Sequence, residues 1–197
     1  MSIKRLLDFI AKPESGGDYN IVYGGIARKD RPSKPLTSMT IGEVLDWQDS
    51  IDPFYPSEAA GKYQIMEDTL RGLYREAGLT RNDKFDESGQ DYLATQLLRR
   101  RGLTDYMSGR ITPLKFAQNL SKEWASLPCT IKDRKGRPAR GQSYYAGDGL
   151  NKSHVTIEAL MQAVEDVKDG GPAPAAPKPP TGGFWASIIK AIFGGKK

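Results

Sequence analysis

Apolar residues recur at helical spacing along most of the chain, and the recurrences come with end signals. Ile3, Leu6, Leu7, Phe9 and Ile10 form an amphipathic stretch that runs into Pro13 and is followed at once by Glu14 and two glycines. Ile41, Val44, Leu45 and Ile51 predict a helix opened by Thr40, with Glu43 three residues on as a capping box. Met66, Leu70, Leu73, Tyr74 and Ala77 predict another, with Gly78 where a C-cap glycine belongs. Residues 86–101 carry Tyr92, Leu93 and Leu97 ahead of Gly102. Thr112 and Pro113 read as an N-cap followed by proline at the first helical position, leading through Leu114, Ala117 and Leu120 to Trp124. Residues 153–168 predict a last helix, closed by Gly170.

Only residues 19–26 (YNIVYGGI), and more weakly 60–66, read as extended. The expected fold class is therefore α+β, mainly helical with a small β element near the N-terminus. Three regions follow from composition. Residues 1–169 form the domain, and 170–183 (GGPAPAAPKPPTGG) have the make-up of a semi-rigid linker. Residues 184–197 form a short cationic amphipathic tail.

Charge changes the picture in one respect. The chain carries +5, but Lys178, Lys190, Lys196 and Lys197 lie after residue 169 with no acid among them, which leaves +1 for the rest. The domain itself has no basic excess that would call for nucleic acid, and no such partner is expected. One cysteine and one histidine exclude a disulfide within the chain, a C-x-x-C site and a multi-histidine zinc site, so no metal is expected. Asp8 and Lys12 interrupt the N-terminal apolar stretch, so no signal-peptide core is read there.

The candidate chemistry begins at Glu14. An acid that protonates a glycosidic oxygen must hold its proton near neutral pH, which burial in a partly apolar pocket achieves. By itself Glu14, at a helix end beside Ser15 and two glycines, reads more readily as a solvated turn residue. Two later stretches shift the weighing, SEAAGKYQIM (57–66) and EWASLP (123–128). With the first helix, Glu14 and YNIVYGG, in this order and at these distances, they resemble the phage lambda endolysin family, lysozyme-fold enzymes that cut peptidoglycan as lytic transglycosylases.

That resemblance implies several things. Glu14 matches the catalytic acid for the β-1,4 bond between N-acetylmuramic acid and N-acetylglucosamine. Tyr63 and Gln64 match a cleft-wall segment that contacts sugars or orients the glutamate, and Trp124 matches an aromatic expected to pack under the cleft. No cofactor is implied, and a monomer is expected. The protein would be made in the host cytoplasm and act on the cell wall after release. Residues 129–149 depart from the pattern, being longer and more basic, which leaves one lip of the cleft open.

Alternatives remain at this stage. A retaining hydrolase places a second carboxylate about 5 Å from the first, and Asp18, Glu43, Asp46, Asp52 and Glu58 are the sequence candidates. A transglycosylase needs none, because the muramic acid 6-hydroxyl attacks. A non-catalytic wall-binding or virion structural protein is a further class, as is a Cys129–His154 peptidase. In the tail, Phe184, Trp185, Ile188, Ile189, Ile192 and Phe193 fall on one half of a helical wheel, an expected lipid-contacting face too short to span a bilayer.

Overall fold

The computed structural model describes residues 3–147 and 151–168. Helix α1 (Ile3–Ser15) buries Leu6, Leu7, Ile10 and Ala11 along one face, and α2 (Ile41–Ile51) buries Ile41, Val44 and Leu45. They are followed by α3 (Glu67–Glu76), α4 (Glu87–Arg100), the short α5 (Leu103–Met107), α6 (Pro113–Leu120) and α7 (Ile157–Glu165). Helix α1 packs on both α4 and α7, so the first and last described helices close one core. The linker and tail read from residues 170–183 and 184–197 lie outside the described residues.

The end signals work as the sequence implies. Thr40 accepts from Glu43 N while Glu43 accepts from Thr40 N, the reciprocal box. Thr112 caps α6 ahead of Pro113, and Asp86 caps α4 through Gly89 N. The last helix begins later than its apolar spacing predicts, at Thr156, whose hydroxyl accepts from Ala159 N.

Two expectations need correction. First, Pro13 does not end α1. Its ring removes one backbone donor, but in the final turn Gly16 N still reaches Lys12 O, so the helix runs on through Ser15. Glu14 therefore sits inside the last helical turn rather than in a turn after it. Second, the β element shrinks to isolated bridges, Val22 with Ala60 and Ala60 with Ile65 among them. The stretch 19–26 meets only the short 59–61 segment, through Tyr23 N to Ala59 O and Gly61 N to Ile21 O, so no ladder can extend. The mainly helical architecture stands, with the β part reduced to these pairings.

The basic 129–149 stretch is pinned down over its described part. Gln118 Oε1 accepts from the backbone N–H groups of Thr130 and Ile131, and its amide donates to Lys132 O. Asp133 closes the turn by accepting from Lys135 N, Arg137 N and Arg137 Nε. Among the described residues no helix is long and apolar enough to cross a membrane.

Candidate active site

Three distant stretches meet at the C-terminal end of α1. Ser15 Oγ donates to Lys62 O at 2.7 Å and accepts from Gly17 N, tying the helix end to the 60–65 turn. The Trp124 indole N–H donates to Tyr63 O at 3.3 Å, with the ring buried at 3 % exposure. Ser126 then donates its hydroxyl to Glu14 Oε1, and its backbone also hydrogen-bonds the carboxylate. The motifs around Glu14, Tyr63 and Trp124 thus converge, although they lie up to 112 residues apart.

The electrostatics of Glu14 follow from its enclosure. Burial pushes its pKa above the ordinary 4.5, and this outweighs the two Ser126 hydrogen bonds and the charge of His154, all of which favour the ionised form. His154 is an ionisable side chain whose charge acts on Glu14. His154 lines a cavity of about 660 Å³ with Gly141, Ser153, Val155, Thr156 and Glu158. Its backbone N–H donates to Ser126 O at 2.8 Å, so one serine joins both titratable groups. A half-buried carboxylic acid held in this way is equipped to give up a proton near neutral pH.

Tyr63 needs correction. Its ring is 1 % exposed and its hydroxyl donates to Asp91 Oδ1 at 2.6 Å, so it offers no side-chain surface to a sugar. Burial, with the hydrogen bond to Asp91, pushes the phenol pKa upward. Its backbone carbonyl receives the Trp124 indole N–H. Lys62 lies beneath the same turn, its side chain 5 % exposed, with Nζ at 2.9 Å from Asp8 Oδ1, 3.0 Å from the Tyr19 hydroxyl and 3.4 Å from Asp91 Oδ1. Burial lowers the lysine pKa, but the hydrogen bonds to Tyr19 and Asp8 and the charge of Asp91 overcome it, and the net shift is upward.

Gln64 is half-buried and holds φ at +48°, which makes it the non-glycine residue with positive φ among those described. The conformation costs about 1–2 kcal/mol, and it closes the 60–65 turn with Gln64 N and Nε2 both on Gly61 O. Gly61, at φ +74°, has no room for a methyl group: a Cβ there would come within 2.2 Å of Gln90 Oε1.

Sequence reasoning missed Ser126 and weighed His154 only as a partner for Cys129. Ser126 stands inside the EWASLP stretch, but a serine carries no signal of its partner, and His154 has no motif around it. Cys129, by contrast, is fully buried with Ser121 and Gln118 as its hydrogen-bond partners, and burial pushes its thiol up. An inert buried thiol of this kind does not make a Cys–His nucleophile.

Removing the Ser126 hydroxyl takes away a bond that favours ionised Glu14. In Ser126→Ala the basic limb of the pH–activity profile should move to higher pH. Turnover of purified peptidoglycan across pH 4–9 reads it.

The fold and site define a small, mainly helical protein with a half-buried carboxyl at a helix end, which fits a lysozyme-like architecture. The Endolysin family model matches residues 12–150, and the chain belongs to that family. Comparison with curated proteins and with solved structures finds no match. As an endolysin, the protein is a phage enzyme that degrades host peptidoglycan in lysis, and the cell wall is its place of action.

Proposed function

We propose that the protein cleaves the β-1,4 bond between N-acetylmuramic acid and N-acetylglucosamine as a lytic transglycosylase, with Glu14 as acid and then base. The observation that carries this reading is the half-buried Glu14 carboxyl at the end of α1, held by Ser126, where burial pushes its pKa upward. The protonated Glu14 gives its proton to the bridging oxygen as the bond from muramic acid C1 breaks, releasing the 4-hydroxyl of the next sugar. The muramic acid 6-hydroxyl then bonds to C1 and passes its proton to the Glu14 carboxylate, which restores the acid and leaves a 1,6-anhydro end.

Hydrolysis would call for a carboxylate near Glu14 to hold a water or to attack. Three of the five sequence candidates are engaged elsewhere, and Asp18 accepts from Asn20 N in its own turn. Glu43 is paired with Lys34 and caps α2, and Asp46 is paired with Arg81. Glu58 is buried and accepts from Glu67 N. Mass spectrometry of muropeptides released from purified sacculi tests the choice: 1,6-anhydro ends support it, and reducing ends overturn it in favour of a hydrolytic muramidase.

We also assign residues 184–197, from their sequence pattern, a lipid-contacting role rather than a catalytic one. Deleting residues 170–197 should leave turnover of purified sacculi within about twofold while weakening binding to anionic vesicles. Loss of turnover in the truncated protein would place part of the catalytic function in the tail.

A further inference from the structure

Away from Glu14, a cavity of about 640 Å³ opens between residues 29–31 and 50–55, with Lys29, Asp30, Arg31, Ile51, Phe54 and Tyr55 in its lining. Its floor is cross-linked. The Trp47 indole donates to Asp30 O at 2.9 Å, and the Tyr55 hydroxyl donates to Asp30 Oδ2 at 2.6 Å while accepting from Ala27 N at 3.3 Å. On this fixed floor Phe54 is 78 % exposed, the most exposed large apolar side chain among those described. A single exposed ring is ordinary on a protein surface. A ring held at the rim of a cationic cavity is arranged to receive something.

Arg31 supplies the direction. Its Nε donates to Ile26 O at 3.0 Å, which fixes one edge of the guanidinium, and among the described residues its terminal nitrogens meet no hydrogen-bond acceptor. The neighbouring cations are already engaged, Lys29 with Asp30 and Lys34 with Glu43. Arg31 also lines a second cavity, of about 470 Å³, whose other side is formed by Asp18, Asn20, Ile21 and Val22, the chain that leaves Glu14. The two cavities therefore share Arg31, between the segment after Glu14 and the exposed Phe54.

We propose that this pair of cavities binds the peptide-bearing part of the wall, with the Arg31 guanidinium on a stem-peptide carboxylate and Phe54 stacked against the sugar that carries the stem. The proposal rests on the wall-glycan reading of Glu14. A guanidinium with one edge fixed and the other open matches a carboxylate by two parallel N–H donors. Asp30 in the same lining works against a run of phosphates, so a single carboxylate beside an apolar ring face is the better complement. The floor is ordered before any ligand arrives, which spares the ordering cost of binding.

The test uses the full-length chain with Glu14→Gln, so that ligand is not consumed, and soluble glycan strands either bearing their peptides or stripped of them by an amidase, with the lactyl carboxylates so freed capped as methyl amides. Arg31→Gln in that background should weaken binding to peptide-bearing strands by about tenfold, the worth of a charge-assisted hydrogen-bonded pair. It should leave binding to stripped strands unchanged, whereas Phe54→Ser should weaken both. Both side chains are exposed, so an unaltered Tm is expected and confirms folding. Unchanged affinity of Arg31→Gln for peptide-bearing strands, or equal weakening on both ligands, overturns the assignment. Failure of the wild-type chain to cut either strand would instead count against the Glu14 reading and leave the binding result to be judged by itself.

Discussion

Glu14→Gln is expected to lose activity on purified sacculi by about 10²–10⁴-fold, the contribution of a positioned general acid, while becoming more stable at neutral pH. The gain in stability follows from the direction of the shift. Burial raises the folded-state pKa above the ordinary 4.5, so between the two values the folded chain binds more protons than the unfolded one, and stability falls as pH rises through that window. Below pH 4.5 both states are protonated and the penalty is absent. Above the folded-state value it is fully present. Glutamine is neutral throughout, so the variant should show a higher Tm than wild type at pH 7.5 and the same Tm near pH 4. An inactive variant that is no more stable at pH 7.5 would mean that the carboxyl is not held against its solvation. A fully active one would remove Glu14 from the chemistry.

The second large effect is expected at Lys62. Lys62→Met replaces a buried ammonium that faces Asp8, Asp91 and Tyr19, and leaves Asp91 with two hydroxyl donors but no cation. Breaking a buried ion pair from one side costs about 3–5 kcal/mol, and about 3 is expected because the Asp8 side chain is 46 % exposed and can rehydrate. Chemical denaturation measures this directly. The Lys62 carbonyl receives Ser15 and the adjacent Tyr63 carbonyl receives Trp124, so the supports of the Glu14 helix end loosen with the network. Activity should fall with stability, and partial recovery of both in Lys62→Arg would trace the loss to the missing cation. Loss of less than about 1 kcal/mol would show that the network is solvated rather than buried.

What the sequence made legible was local. The Thr40–Glu43 box, the Thr112–Pro113 start and Gly78 act within a few residues of themselves, so their chemistry reads directly from spacing. The extended reading of 19–26 failed because a strand depends on its partner, and the partner here is three residues long. Leu103–Met107 is too short for periodicity to register, and it starts only after Gly102 turns the chain at φ +102°. Tyr63 misled for a related reason. Its place beside a motif pointed to a cleft wall, but its hydroxyl is claimed by Asp91, 28 residues away, and the ring follows it into the core. Glu14 was named from its context, whereas the groups that set its proton affinity, Ser126 and His154, come from the far end of the chain.

The most direct measurement of the central claim is the titration of the Glu14 carboxyl itself, followed by carbon-detected NMR of the side chain and assigned by its absence in Glu14→Gln. A midpoint above 4.5 that climbs further in Ser126→Ala is the predicted result. A midpoint at or below 4.5 would contradict the account, because Glu14 would then be an ordinary carboxylate at neutral pH with no proton to give.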